Sequence, residues 1–269
     1  MCIIVVASNK GGTGKTTAVL SLAAALATIA SDLPTVLIDL DPRGDATRRM
    51  GFAPETDLLG ALIDGRRLPA DHMGSFNVLD AARQTNEHFA IVPVSDDIAA
   101  VETRFAARSG GTALLIYRLH ALGRDCHLVI DTAPGNTTFL GRAAIVAADV
   151  VIVPVRPLPG ADRDAIAVVN QLRGMAGTAH VFVVAVQSDG TGDDVALLED
   201  GLRQSHLAVT ESFPHENAIA RCAALIGSPL ALAPESQCAA SYRSLAHKIK
   251  AVIAERRGFA LLMHAQPPA

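Results

Sequence analysis

Uninterrupted apolar runs recur along the chain and alternate with longer stretches in which apolar and polar positions are mixed. Continuous apolar runs are typical of strands in a parallel sheet, because helices cover both faces of such a sheet. The mixed stretches have the length and periodicity of helices. We predict strands at residues 2–7, 35–39, 89–93, 127–131, 149–154, 180–186 and 207–212. Between them we predict helices that include residues 15–30, 96–107, 112–122, 161–173 and 193–205.

This alternation predicts an α/β fold with a doubly wound, mostly parallel sheet flanked by helices. A last helix is predicted over about 237–257, and residues 52–80, with several glycines and prolines, are predicted to form a loop-rich excursion. No linker or repeat divides the chain. We therefore expect one domain over residues 1–257 and a short tail over residues 258–269.

Composition narrows the class of protein. Half of the 269 residues are hydrophobic and only 4% are aromatic, so aliphatic side chains form the core. No apolar run is long enough to span a bilayer, and no signal peptide is evident before the first strand, so we expect a cytoplasmic protein. Four scattered cysteines, Cys2, Cys126, Cys222 and Cys238, indicate thiols and not a disulfide framework or a zinc site. The net charge of −4 gives no bulk attraction to nucleic acid, so DNA binding would require a local basic patch.

A glycine-rich segment, Ser-Asn-Lys-Gly-Gly-Thr-Gly-Lys-Thr-Thr at residues 8–17, follows the first predicted strand and opens the first predicted helix. Its glycines let backbone N–H groups close around phosphate oxygens without interference from a Cβ atom. Lys15 can reach the terminal phosphates, and the hydroxyl of Thr16 can bind Mg²⁺. Strand, glycines, lysine, hydroxyl and helix in this order favour a phosphate-binding loop over a solvated glycine turn. A second lysine, Lys10, opens the loop and is poorly placed to close on the nucleotide of its own chain.

Aspartates end two of the predicted strands. The second strand runs into Asp39-Leu40-Asp41-Pro42, and the fourth ends at Asp131. An aspartate at this edge of the sheet can hold a water bound to Mg²⁺, which is the role predicted for Asp131, while Asp41 is predicted to orient the attacking water. Taken alone, each would be explained more simply as a helix cap or a turn residue, and only the combination with residues 10–17 favours nucleotide chemistry. No arginine finger is evident, so we expect slow turnover.

With these motifs the chain resembles the ParA family of deviant P-loop partition ATPases, which is related to MinD, over roughly residues 2–255. The signature loop of the family corresponds to residues 10–16, its second motif to residues 39–45, and its third, an apolar strand that ends in aspartate, to residues 129–131. Three positions depart from the family pattern: Arg43 replaces glutamine, Asp45 replaces asparagine, and Ala133 stands where many relatives have proline. These departures leave the core chemistry in place and leave the switch loop and the hydrolysis rate open.

The resemblance implies roles for individual residues. Lys10 would cross a dimer interface to the phosphates of the partner's ATP, because a second cation at the mouth of the loop would be costly unless something negative met it. Lys10, Lys15 and Asp41 would carry the catalytic roles, and Thr16, Asp41 and Asp131 would hold Mg²⁺. The ATP-binding set implied by the family comprises Lys10, Gly11, Gly12, Thr13, Gly14, Lys15, Thr16 and Thr17, with Gln187, Phe213 and Pro214 near the adenine.

The function implied by the resemblance is ATP-driven positioning of DNA or another large cargo. An ATP-bound homodimer would coat nucleoid DNA without sequence preference, and a ParB-like or adaptor protein would stimulate hydrolysis. No helix-turn-helix precedes the first strand, so specific operator binding is not expected. The candidate DNA contacts are basic residues in the C-terminal half, for each of which a solvated helix face is the simpler interpretation: Arg203, Arg221, Arg243, Lys248 and Lys250.

Four other functional classes are compatible with parts of this sequence. A MinD-like membrane ATPase would need a C-terminal amphipathic helix; Gly258 is expected to interrupt that segment, so membrane binding is not expected. A nitrogenase-like reductase would need a cluster-binding cysteine soon after Asp131, and residues 132–148 contain none. A switch that binds ATP with negligible turnover stays open because of Arg43 and Asp45, whereas a small-molecule kinase would not explain Lys10. The sequence does not name the cargo.

Overall fold

The computed structural model arranges eight strands in one sheet, in the order β3-β4-β2-β5-β1-β6-β7-β8. It describes residues 1–29, 33–56, 58–64, 77–176, 179–188, 193–214 and 227–264. The strands are β1 (Cys2–Val6), β2 (Thr35–Asp39), β3 (Arg83–Gln84), β4 (Ala90–Val92), β5 (His127–Asp131), β6 (Val150–Val155), β7 (His180–Ser188) and β8 (Val209–Pro214). All neighbouring strands pair in parallel except β3 and β4, so the predicted mostly parallel sheet is confirmed.

Helices lie on both faces of this sheet. Their bounds are α1 (Lys15–Thr28), α2 (Asp45–Arg49), α3 (Leu58–Asp64), α4 (Val78–Ala81), α5 (Ile98–Ala107), α6 (Gly111–Leu122), α7 (Phe139–Ala147), α8 (Ala161–Ala176), α9 (Asp193–Arg203), α10 (Pro229–Leu232) and α11 (Gln237–His264). Side chains that alternate along β1 divide between two cores: Ile3 and Val5 pack with α3 to α9, and Ile4 and Val6 pack with α1 and α11. This division confirms that the sheet is doubly wound.

The strand order places the end of β1 at the centre of the sheet, between β5 and β6. From β1 the chain builds one half of the sheet through β2 to β5, and then the other half through β6 to β8. Ligands of such sheets bind beyond the carboxyl ends of the strands, at the point where the order reverses. The loop between β1 and α1 lies at this point.

Several predicted boundaries differ from the observed ones. The loop-rich excursion contains α3 and α4, and residues 65–76 lie outside the described residues. The two-residue antiparallel strand β3 was missed, because so short an element leaves no periodicity to detect. The last helix was predicted to end at about residue 257, with an interruption at Gly258, but α11 continues to His264. Helix propensity disfavours a single glycine by only about 1 kcal/mol, which a long helix tolerates.

The division into residues 1–257 and a tail stays a prediction. Arg221, Cys222 and the last five residues, 265–269, lie outside the described residues. Among the described cysteines, Cys2 and Cys126 are buried and Cys238 is half-buried.

Candidate functional site

The glycine-rich loop connects the end of β1 to the start of α1 and is braced by its own side chains. The Ser8 hydroxyl lies 2.8 Å from the Thr13 hydroxyl and donates to the carbonyl oxygen of Lys10 at 3.0 Å. Gly14, the N-cap of α1, has a left-handed φ of 77°, a conformation that favours glycine, and no side chain caps the helix. The first N–H groups of a 14-residue helix therefore point at the loop without a side-chain acceptor, an arrangement that suits phosphate oxygens.

Lys15 lies beneath the loop, with only 7% of the residue exposed. Its Nζ donates to the Ser8 hydroxyl at 3.5 Å. Burial lowers the pKa of Lys15, while the nearby carboxylates of Asp131 and Asp41 act in the opposite direction. The structure therefore brings Lys15, Asp41 and Asp131 close together, three residues that separate sequence motifs predicted for the site.

Asp131 ends β5 and is completely buried. Neither of its carboxylate oxygens has a hydrogen-bond partner among the described residues. Burial, and next the neighbouring Asp39, raise the pKa of Asp131 well above that of an exposed aspartate; the Thr16 side chain acts in the opposite direction without satisfying either oxygen. A buried carboxylate without a partner is rare in folded proteins and fits a cation or its bound water. Thr16 and Asp131 thus fit the predicted magnesium site.

Asp39 ends β2 and pairs in register with Asp131. Its Oδ2 accepts from the N–H and the hydroxyl of Thr47, at 2.9 and 2.7 Å, and its Oδ1 accepts from the N–H of Asp41 at 3.1 Å. Burial raises the pKa of Asp39 to about 6, although these hydrogen bonds oppose the rise. Sequence reasoning assigned no separate role to Asp39, for which the Thr47 hydroxyl eight residues later was an available signal.

Asp41 lies in the loop after β2, where little of it is exposed. Its Oδ1 accepts from the N–H of Arg43 at 3.0 Å, and its carbonyl oxygen accepts from the N–H of Gly44 at 2.8 Å. Gly44 has a φ of 62°, and a Cβ atom there would lie 2.6 Å from a side-chain carbon of Val94. Glycine is therefore required for the tight turn that holds Asp41 beside the phosphate-binding loop.

Lys10 protrudes from the mouth of the loop, with 67% of its side chain exposed. Its Nζ forms an ion pair with the Asp164 carboxylate, which is carried by α8. Lys10 therefore has a counter-ion within its own chain, and no local sequence pattern indicates it because Asp164 lies 154 residues away. The Thr17 hydroxyl, assigned to ATP by the resemblance, accepts a hydrogen bond from Arg49 of α2 at 2.9 Å.

A cavity of about 340 Å³ lies beside the loop, between residues 8–13 and residues 153–168. Lys10 and Asp164 lie on its wall, and Leu158, 57% exposed, lies there too. Beyond β6 in the sheet, β7 and β8 end next to each other, with Ser188 opposite Pro214. The adenine residues Gln187, Phe213 and Pro214 lie at these two strand ends; their side chains are outside the described residues, so the adenine site stays a prediction.

The basic residues nominated for DNA contacts lie on α9, α11 and in the segment 215–226. Each of the four within the described residues has a partner in its own chain. Arg203 pairs with Asp200, Arg243 donates to the Pro234 carbonyl, Lys248 donates to the Thr210 carbonyl and to Glu211, and Lys250 donates to the Ile29 carbonyl. DNA binding by these residues stays a prediction, as does any contribution from Arg221.

Among the described residues, none of the helices combines the length and the apolar character that crossing a bilayer requires.

Comparisons with known proteins agree with this geometry. A family model described as an AAA domain matches residues 1–175. The chromosome-partitioning ATPase Soj of Thermus thermophilus is 33% identical over 153 residues, covering 57% of this chain and 54% of the relative. The chain spans little more than half the length of the curated relatives it matches.

Two solved structures share the fold. The cell division ATPase MinD of Pyrococcus furiosus has a TM-score of 0.70 at 21% identity, with 94% of this chain and 100% of that chain covered. Cobyrinic acid a,c-diamide synthase of Mycobacterium smegmatis with bound ADP and magnesium has a TM-score of 0.70 at 22% identity, with 92% and 93% covered. The two carry different activities on one fold, so the fold alone does not select the reaction. The family model spans more than half of the chain and includes the loop, Asp41 and Asp131, so the chain belongs to this AAA-domain family, and its sequence is similar to those of Soj and ParA proteins.

Proposed function

We propose that this chain binds Mg·ATP, forms a homodimer in the ATP state, hydrolyses ATP slowly, and uses this cycle to position DNA or another large cargo. One observation carries the proposal: a buried Lys15 lies near enough to the buried, unpartnered carboxylate of Asp131 for their charges to interact, beneath a loop whose mouth presents the exposed Lys10. Lys15 and Asp131 suit the nucleotide of the same chain. Lys10 is exposed at the mouth of the loop and suits an anion brought by a second chain.

In the proposed site, the loop N–H groups and Lys15 bind the phosphates. The Thr16 hydroxyl binds Mg²⁺, and the Asp131 carboxylate accepts from a water bound to the metal. Magnesium supplies charge neutralisation at the phosphate oxygens when it is bound. Asp41, held at the edge of the loop by its own turn, orients the attacking water.

Dimer formation depends on Lys10 in this proposal. In the free chain, Lys10 pairs with Asp164, and both side chains are largely exposed. Exposed ion pairs contribute about 0–1 kcal/mol, so the pair opens readily. A contact with a phosphate of the partner's ATP, shielded from water, contributes about 1.5–3 kcal/mol, and a symmetric dimer makes two such contacts.

The test is light scattering with Mg·ATP and with Mg·ADP. We expect a dimer with ATP and a monomer with ADP for the natural sequence. Lys10→Ala should bind ATP with unchanged affinity and stay monomeric. Arg124→Ala serves as the matched control, because Arg124 is an exposed cation just before the amino end of β5, at the opposite end of the strands from the loop. An equally tight dimer for Lys10→Ala would remove Lys10 from the mechanism.

DNA binding is tested separately. The relative from Thermus thermophilus is named a chromosome-partitioning ATPase, which supports a DNA cargo. We expect gel mobility shifts on unrelated duplexes with a non-hydrolysable ATP analogue, falling steeply with added salt. Absence of a shift at low salt would indicate that the cargo is not carried on DNA.

A second candidate is a MinD-like ATPase that binds membranes. The continuation of α11 through Gly258 to His264 favours it, since an unbroken C-terminal helix removes one objection raised by the sequence. Pelleting with anionic liposomes in the presence of Mg·ATP distinguishes the two functions: sedimentation supports the membrane candidate, whereas a supernatant protein that shifts DNA supports the first.

A further inference from the structure

The cavity beside the phosphate-binding loop has an aliphatic floor. The buried residues of its lining include Val153, Val155, Ala165 and Val168. An apolar cavity of about 150 Å³ already accommodates a benzene molecule, so this cavity of about 340 Å³ has room for the four carbons of a leucine side chain. Burial of an apolar group against such a floor is favourable, so the cavity suits an aliphatic side chain.

The ion pair between Lys10 and Asp164 joins the two walls of this cavity. Lys10 belongs to the wall formed by the loop, and Asp164 belongs to the wall formed by α8. Both side chains are largely exposed, so the pair lies on the solvent side of the buried floor. In the proposed dimer Lys10 leaves Asp164 for the partner's phosphate. The connection between the walls therefore opens in the same state in which a second chain approaches.

Leu158 is an apolar side chain on the rim of the same cavity. Among the described residues, it is the one large apolar side chain that is both exposed and part of this lining. The turn that leads into α8 fixes its backbone. Its N–H donates to the Arg156 carbonyl at 2.9 Å, and its own carbonyl accepts from the N–H of Ala161 at 2.9 Å. Leu158 is therefore presented to solvent from a defined position.

An apolar projection and an apolar cavity on one patch are the elements of a self-complementary contact. In a two-fold symmetric dimer the same patch of each chain meets the other, so the projection of one chain can enter the cavity of its partner, and this happens twice. Lys10 lies on this patch, so the axis of the proposed dimer passes near it. The charged residues of the lining are Lys10, Arg156 and Asp164, an excess of one positive charge per chain that the bound triphosphates offset.

We propose that Leu158 of each chain enters the cavity of its partner in the ATP-bound dimer. The inference rests on the proposed function and adds a contact to its dimer. Lys10 makes the dimer depend on the triphosphate, and Leu158 supplies apolar area that the contacts with phosphate lack. The cavity is then completed only by a second copy of the chain.

The test is sedimentation equilibrium with Mg²⁺ and a non-hydrolysable ATP analogue. Leu158→Ala removes three carbons from each chain, so we expect the dimer to weaken by about 100-fold or more, because the loss counts twice. Leu158→Met keeps most of the apolar volume and should stay within about tenfold of the natural sequence. Leu197→Ala is the matched control, because Leu197 is an exposed leucine on α9, away from the cavity. The affinity of the single chain for ATP and its thermal unfolding should not change in Leu158→Ala.

A second variant tests the cavity from its other wall. Ala167 is exposed on α8 and lines the cavity, so Ala167→Leu should keep the fold and fill the space from within the chain. We expect Ala167→Leu to weaken the dimer by about tenfold or more, and to have little further effect when it is combined with Leu158→Ala. This lack of additivity distinguishes contact between Leu158 and the cavity from two unrelated positions in one interface.

Three results would overturn the inference. A dimer of Leu158→Ala as tight as that of the natural sequence would leave the cavity to a different partner, while the proposed function would stand. Additive losses in the double variant would place Leu158 elsewhere in the interface. A natural sequence that stays monomeric with the analogue would remove the dimer from the proposed function, and the contact of Leu158 with it.

Discussion

The ends of β2 and β5 are neighbours in the sheet, and each carries an aspartate in a fully buried position: Asp39 and Asp131, which pair in register. Both follow three consecutive apolar residues, and both have a raised pKa because burial penalises their charge. Their hydrogen bonding differs completely. Asp39 accepts three hydrogen bonds from its own loop, whereas neither oxygen of Asp131 has a partner among the described residues.

The difference gives Asp39 a structural role and supports the proposed cation-binding role of Asp131. Asp39 fixes the turn that presents Asp41 and Arg43, so its contribution to the site is indirect. Neither oxygen of Asp131 has a hydrogen-bond partner among the described residues, so we expect its burial to cost stability in the ligand-free fold. A loss of stability at the end of β5 is consistent with a functional role for Asp131. Asp39, at the end of β2, stabilises the turn next to it.

The substitution Asp39→Ala tests this comparison with the largest expected effect, a loss of folding stability. Two buried N–H groups and one hydroxyl lose their acceptor, and each buried unsatisfied group costs about 1–3 kcal/mol. We expect a loss of about 3–5 kcal/mol in the free energy of unfolding at pH 5, where Asp39 carries little charge, measured by urea denaturation. Asp45→Ala is the control, because it removes an exposed carboxylate from the same segment. A loss below 1 kcal/mol would show that the turn holds itself.

Sequence alone could not have assigned these two roles. An apolar run ending in aspartate predicted that both residues lie at the carboxyl ends of strands, on the side of the sheet where ligands bind. The partners of Asp39 come from residues 41 and 47, whose approach depends on a tight turn at Gly44. The pairing of Lys10 with Asp164 joins positions 154 residues apart, and no local pattern records it.

The next effect is a dependence of stability on pH. The folded-state pKa of Asp39 is about 6, above its ordinary value of 3.8. A raised pKa means that the folded state binds the proton more tightly, so this contribution to stability is present at low pH and is lost as the pH rises through about 6. Asp131 acts in the same direction.

We expect the free energy of unfolding of the ligand-free protein to fall by about 2 kcal/mol between pH 4.5 and pH 7.5 from Asp39. Asp39→Asn, which cannot titrate, should flatten the profile over this range. Urea denaturation at several pH values gives the comparison. An identical profile for Asp39→Asn would assign the dependence to other groups.

A smaller effect is expected for Asp131→Asn, with opposite signs in the two states. Without ligand, the variant should unfold at a higher temperature than the natural sequence at pH 8, because the buried charge is gone. With Mg²⁺ and nucleotide, the variant should lose about 10- to 100-fold in metal affinity, as is usual when a group that holds a metal-bound water is removed. Thermal unfolding with and without Mg·ADP measures both. A destabilised ligand-free variant would mean that Asp131 has a structural partner after all.

The smallest effect concerns the other exposed element of the site, the ion pair between Lys10 and Asp164. Both side chains are more than half exposed, so the pair contributes about 0–1 kcal/mol and Asp164→Ala should leave thermal unfolding nearly unchanged.

The ion pair is expected to affect the formation of the dimer instead. Lys10 cannot bind Asp164 and a phosphate of the partner's ATP with the same geometry, so the pair competes with the dimer. Since each dimer opens two pairs, removing Asp164 should tighten the ATP-dependent dimer by up to about 30-fold, if each pair contributes about 1 kcal/mol. Asp162→Ala controls for the loss of a negative charge, because Asp162 lies two residues before Asp164 on α8. Sedimentation equilibrium with a non-hydrolysable ATP analogue measures the dissociation constants, and a weaker dimer for Asp164→Ala would mean that Asp164 holds Lys10 ready for the partner instead of restraining it.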